Sequence, residues 1–152
     1  MIQNITYGIT FPFADSTDGR YFSLNTTNME EIRTDLVHLL LTRKGSRYYL
    51  PDFGTRLLEY IFEPLDGPTF SEIESEIRDS VATYIPGIQI TNLTITDASQ
   101  DDQNKGSYIN DKNERVYTVP NIGTLEHTAK VKIEYLITDE AFGASDFVII
   151  NI

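Results

Sequence analysis

The sequence predicts an α+β domain, a single unit with two to three helices packed on a small, mostly antiparallel sheet. Three observations predict it. Apolar residues recur at helical spacing after Thr27 and again after Ser71, while residues 88–96 and 129–137 are β-branched and alternate as strands do. Between the helical stretches lies Leu39–Pro64, LLLTRKGSRYYLPDFGTRLLEYIFEP, which holds two tight chain reversals in one block.

Bulk composition narrows the function classes. A chain of 152 residues most simply makes one domain, and 40% hydrophobic with 11% aromatic content is enough for a packed core. No apolar run approaches the roughly 20 residues that a membrane span needs, and no signal-like N-terminus is present, so a soluble chain made in a cytoplasm is expected. The absence of cysteine removes disulfides, thiolate chemistry and cysteine-based zinc sites. A net charge of −11 argues against nucleic acid and against anionic membranes, both of which are gripped by clustered cations.

Along the chain, Ile5, Tyr7, Ile9 and Phe11 alternate with polar residues, so residues 1–27 read as an N-terminal arm or an edge strand. Thr27 or Asn28 caps the first helix, with Glu30 or Glu31 completing a capping box. Ile32, Leu36, Leu39 and Leu40 mark its apolar face, and His38 lies just off it as a partly buried, hydrogen-bonded residue rather than a catalytic one. Arg43 and Lys44 suit the negative end of that helix, and Gly45 suits the left-handed position after it. Pro51 biases Leu50 toward an extended backbone, Asp52-Phe53-Gly54 turns, and Leu57, Leu58, Ile61 and Phe62 form a short helix ending at Pro64. Phe53 acts as an aromatic plug and Gly54 supplies a backbone angle denied to other residues.

Ser71 with Glu74 reads as a second capping box, followed by Ile73, Ile77, Val81 and Ala82, and Pro86-Gly87 stops that helix. The alternation over 88–96 shifts register between Ile90 and Leu93, which predicts a bulge. Residues 97–127 are a long polar loop or hairpin, with Val116–Val119 as a short strand. Ala129, Val131, Ile133, Tyr135 and Ile137 make the clearest amphipathic strand. The tail 146–152 is strongly β-prone, and it must either dock on its own sheet or be covered by another chain.

Chemistry-bearing constellations are sparse. His38 and His127 lack a nucleophile elbow, and no phosphate-cradling glycine run exists. Asp97, Asp101, Asp102, Asn104 and Gly106 resemble a calcium loop in composition but not in spacing. Asp52, Glu59 and Glu63 are the one carboxylate grouping with an enzymatic alternative, since glycosidases set two carboxyl groups about 5–9 Å apart. A solvated helix face is the default reading of the pair. No cofactor and no metal are expected.

The block Thr42-Arg43-Lys44-Gly45-Ser46-Arg47, Leu50-Pro51-Asp52-Phe53-Gly54 and Ile61-Phe62-Glu63-Pro64 resembles the signature of the baseplate wedge proteins of contractile phage tails. These proteins are also called sheath initiators and have relatives in type VI secretion and other contractile injection systems. The resemblance runs in order from about residue 28 to residue 95, and the strand at 128–138 fits it. The resemblance implies that 28–152 is a wedge or sheath-initiator-like domain, similar to the handshake domain by which sheath subunits link. Gly45, Arg47, Pro51, Asp52, Phe53, Gly54 and Pro64 are then its fold motif. Where the family often carries Glu-Pro-Arg, this chain has Ile85-Pro86-Gly87.

The implied function is a non-enzymatic, structural one in the virion's tail baseplate, assembled in the host bacterial cytoplasm in several copies set by symmetry. The implied partners are other wedge proteins, the tail sheath protein, and the tail tube or hub, with sheath assembly nucleated by strand addition. The alternatives are a peptidoglycan-cleaving, lysozyme-like enzyme, a regulatory adaptor of the same fold, or a baseplate subunit of a type VI or other injection system. Candidate partner-binding residues are Arg47, Pro86, Val131, Ile133, Phe147 and Ile149. Arg47 either fixes the turn or reaches acidic groups on a neighbour, while Arg56 is read as fixing the turn.

Overall fold

A computed structural model describes residues 6–62, 67–97, 107–109, 112–118, 129–138 and 143–151. Pro64, Glu63, His127 and most of the 97–127 loop, with Asp101, Asp102, Asn104 and Gly106, lie outside the described residues.

Helix α1 spans Asn28–Leu41 and starts from a complete capping box: Glu30 N–H donates to Thr27 Oγ1 at 3.2 Å, and Thr27 N–H donates to Glu30 Oε2 at 3.3 Å. These reciprocal bonds satisfy orphan donors of the first turn, and the Thr26 backbone N–H, followed by that of Thr27, holds the Glu30 carboxyl below its ordinary pKa. A 3-10 helix covers Leu57–Phe62, where an α-helical spacing is predicted. Helix α2 spans Gly67–Tyr84, beginning four residues before the predicted Ser71 cap. Ser71 is therefore internal, its hydroxyl donating to the Gly67 carbonyl at 3.1 Å, and Pro68 sits in the first turn where a missing N–H does no harm. Glu74 pairs with Arg78 at 2.8 Å instead of closing a capping box.

Among the described residues five strands follow: β1 Ile88–Asp97, β2 Ser107–Ile109, β3 Arg115–Thr118, β4 Ala129–Ile137 and β5 Ser145–Asn151. Their spatial order is β1-β4-β5-β3-β2, antiparallel at every pairing except the parallel β3–β5 pair. The expected bulge falls between Ile90 and Asn92. The polar stretch after residue 97 contributes β2, which pairs with β3 in an antiparallel hairpin, the second of the two readings given for 97–127.

The period of two along β4 builds the core. Ala129, Val131, Ile133, Tyr135 and Ile137 all point to one buried face, joined by Val148 and Ile150 of β5 and Ile88 of β1. Leu36, Val37, Leu39 and Leu40 of α1 and Ile73, Ile77 and Val81 of α2 close that face. The β-prone tail thus docks on its own sheet, paired with β4 along Ser145–Asn151 and, on its other side, with β3 along Ile149–Asn151, which shields the most apolar end of the strand.

A polar clip ties α1 to the sheet. Arg33 donates to both carboxylate oxygens of Asp146, at 2.7 and 2.8 Å, and Tyr135 OH donates to Asp146 Oδ2 at 3.1 Å. Burial, then the Asp146 charge and its hydrogen bond, push the Tyr135 phenol far up; burial also raises Tyr117 and Tyr60. A phenol whose folded pKa exceeds its unfolded value of about 10 contributes stability fully below that value and loses it as pH rises toward the folded one. The urea midpoint is therefore expected to fall as pH is raised past about 10, and Tyr135→Phe is expected to flatten that fall. An unchanged slope in the variant would assign the alkaline loss to other groups.

Residues 6–25 fold back on themselves. Ile9 bridges Leu24, Tyr7 N–H donates to the Asn25 carbonyl at 3.0 Å, and Asn25 N–H donates to the Gly8 carbonyl at 2.8 Å. The buried Asn25 amide fastens this arm to α1 through Glu31 Oε2 at 2.6 Å and Thr34 Oγ1 at 3.2 Å. Phe11 packs against the core edge-on to His38, with ring centroids 5.0 Å apart, and Phe13 meets the same imidazole at 6.0 Å. His38 is half-buried between aromatic rings, a packing role.

Candidate assembly surfaces

The block at Leu39–Pro64 acts as a brace through short backbone contacts. Thr42 caps α1, its N–H donating to the His38 carbonyl at 3.0 Å. Thr55 N–H then donates to the Thr42 carbonyl and Lys44 N–H to the Thr55 carbonyl, both at 2.9 Å, so the two ends of the loop 43–54 are clasped. Thr55 Oγ1 donates to the Leu40 carbonyl at 2.8 Å, and Ser80 Oγ on α2 reaches the Gly54 carbonyl at 3.4 Å. One loop therefore holds the end of α1, the 3-10 helix and α2 together. Gly45 and Gly54 both have positive φ, +85° and +108°.

Phe53 is wedged between elements, its ring centroid 5.0 Å from that of Tyr84. Arg47 lies over the Phe53 ring, its guanidinium carbon 3.9 Å from the centroid. Arg47 thus packs against the turn by stacking on Phe53. Arg56 is held by Glu76 of α2, with Nη2 3.6 Å from Oε2 and a backbone N–H bond of 3.3 Å. Beyond these braces the loop turns outward: Tyr48 and Tyr49 are 91% and 93% exposed, and Leu50 is exposed beside them.

The sheet offers a second surface. Among the described residues β1 pairs only with β4 and β2 only with β3, so these two strands carry the open edges. β2 is three residues long, whereas β1 runs for ten and contains no lysine, arginine or proline. These open edges do not coincide with the strand residues singled out from the sequence. Val131 and Ile133, read from sequence as partner contacts, are 1% and 0% exposed on a strand flanked on both sides. Ile149, likewise a candidate, is buried opposite Lys132 and Val116 on β5. The reason is that alternation marks a buried face equally well on a central and on an edge strand.

Pro86, Phe147 and Arg47 remain at the surface. Phe147 lies on the sheet face away from the helices, with Lys132 Nζ 4.8 Å from its ring centroid. It helps line an open groove of about 270 Å³ with Thr91, Glu134, Leu136 and Ser145. The open edge of β1 is the feature that sequence reasoning missed, since neither its lack of basic residues nor its length tells which neighbour it has.

Of the three candidate carboxylates, Asp52 and Glu59 are among the described residues and both are at the surface. Glu59 is solvent-exposed and lies 3.8 Å from Arg43, and Asp52 is exposed on the loop. No group of His, Asp and Glu among the described residues is arranged to hold a metal ion, and no helix among them is long and apolar enough to cross a membrane.

Residues 26–110 match the family model described as baseplate wedge protein gp25, a span from the start of α1 to the end of β2. The chain is 35% identical over 60 residues to the baseplate wedge protein gp25 of Enterobacteria phage T4, a match covering 40% of this chain and 46% of that protein. It thus spans less than half of that relative's length. The fold is similar to a crystal structure titled putative tail lysozyme from Geobacter sulfurreducens, with TM-score 0.58, 17% identity, and 86% of this chain and 94% of the other covered. It is also similar to a chain of the anti-feeding prophage baseplate, with TM-score 0.53, 24% identity, and 61% and 73% covered.

Proposed function

The chain belongs to the gp25 family of baseplate wedge proteins, and on that premise we propose that it joins neighbouring wedge proteins and starts sheath assembly through the open edge of β1. The family is a structural one, of contractile-tail baseplates. The observation that carries the finer reading is the edge itself: ten residues of strand with no basic or proline guard and a single bulge near its start. Edges of that kind are normally blunted, because a row of free N–H and C=O groups pairs with any extended chain that meets it. In a baseplate subunit the matching partner is an extended segment of a sheath protein, which would gain affinity from main-chain hydrogen bonds and register from alternating side chains.

Pro86 sits in the turn that feeds β1, and Phe147 two strands away on the outer face; both are surface residues positioned to meet the same or an adjoining partner. Glu59, tied to Arg43 at the surface, lends no support to the lysozyme-like alternative. The particle is a phage tail or a related contractile assembly, with other baseplate components as partners.

Cryo-microscopy of the assembled tail tests the reading. The expected density is one additional strand along β1, continuing the five-stranded sheet and belonging to a sheath subunit. A baseplate in which the β1 edge faces solvent or a helix, with sheath contacts elsewhere, overturns the strand-addition role.

A further inference from the structure

The loop tip supports a second contact, independent of the sheet edge. We propose that Tyr48-Tyr49-Leu50, framed by Lys44 and Arg47, is a docking knob for an acidic, apolar-centred pocket on another baseplate protein. The inference rests on the baseplate reading for where the partner is found, and on the loop's own chemistry for what the partner is.

Single exposed hydrophobics need no explanation, but this is a cluster. The Tyr48 and Tyr49 rings meet edge to face at 5.2 Å, with both side chains almost wholly in solvent. The fold makes no use of them: the brace runs through Thr42, Gly54, Thr55 and Phe53, and a polar turn would close the loop equally well. Nor is the loop slack. Gly45 N–H donates to the Pro51 carbonyl at 2.7 Å, Leu50 N–H to Arg47 at 3.3 Å, and Phe53 N–H to Leu50 at 3.1 Å. With Arg47 stacked on Phe53, the tip is held before any partner arrives, which lowers the entropy lost on binding. Tyrosine and arginine are also the side chains that dominate binding hot spots.

Charge selects the occupant. Arg43, Lys44 and Arg47 stand in a five-residue stretch of a chain whose net charge is −11. Glu59 offsets Arg43 alone, at 3.8 Å, and Lys44 and Arg47 are exposed. The tip is thus a local cation on an anion. A compact pocket rimmed by carboxylates meets that cation at close range, while the rest of the chain is screened beyond about 10 Å. A nucleic acid would run its phosphates past the acidic remainder, and a second copy would set two strongly acidic chains against each other.

The test is photo-crosslinking in the assembled particle, with p-benzoylphenylalanine replacing Tyr49 in the full chain and the crosslinked peptide identified by mass spectrometry. The expected product joins Tyr49 to a segment of another baseplate protein in which Asp or Glu flanks apolar residues. Lys44→Glu is expected to lower its yield severalfold, with melting behaviour unchanged because this side chain is exposed and lies outside the Arg47–Phe53 stack. A crosslink to a second copy, to nucleic acid or to a neutral or basic segment overturns the proposal. So does no crosslink from a chain that is present in the particle. Absence of the chain from the particle overturns this inference and the baseplate role together; its presence without the acidic crosslink overturns this inference alone.

Discussion

Gly54→Ala is expected to destabilise the isolated protein by about 3–4 kcal/mol, read as a lowered urea midpoint at unchanged slope. Two effects add. At φ +108° an L-residue is strained whatever surrounds it, by about 1–3 kcal/mol. In addition, a methyl group at residue 54 would stand 2.3 Å from the Thr42 carbonyl oxygen and 3.0 Å from its carbon. That carbonyl is backbone, already accepting from Thr55 N–H at the end of α1, so it has no side-chain freedom with which to yield. Gly45→Ala separates the two effects. Residue 45 also has positive φ, +85°, but nothing lies within 4 Å of the added carbon. It is expected to lose only about 1–2 kcal/mol, the backbone strain alone. Equal losses at the two positions would mean that the clasp at Thr42 relaxes around the added carbon.

Ile133→Ala is expected to cost about 3–4 kcal/mol of folding stability, a large part of the 5–15 kcal/mol that holds a typical domain. Ile133 is wholly buried at the centre of β4, opposite Leu93 of β1 and Val148 of β5. Truncation removes its burial and leaves a cavity between two pairings that cannot both close over it. A residue on a partner-binding surface would behave otherwise: the free chain would keep its stability and only assembly would weaken. Chemical denaturation of the isolated chain distinguishes these outcomes, and an unchanged midpoint would return Ile133 to the surface.

Much of the local structure was legible along the chain. The Thr27–Glu30 box, the stop at Pro86-Gly87, the bulge after Ile90 and the alternation of β4 each rest on residues within a few positions of one another. The start of α2 was misplaced because Ser71 and Glu74 have the spacing of a cap, while the helix had already begun at Gly67 and used them for internal and surface contacts. The position of β2 was hidden because its three residues are held by pairing with β3 and carry little pattern of their own.

The surfaces were harder to read than the elements. Arg33 and Asp146 stand 113 residues apart, and nothing near either one announces the other. Val131 and Ile133 looked like a face for a partner because burial against the chain's own helices and burial against another protein write the same alternation. Capping, turns and periodicity came from the amino-acid order alone, since their physics acts over one or two turns of backbone. Strand order, the docking of the tail between β4 and β3, and the exposure of β1 came from the assembled fold. Those depend on hydrogen bonds between segments whose encounter is set by the packing of the whole core.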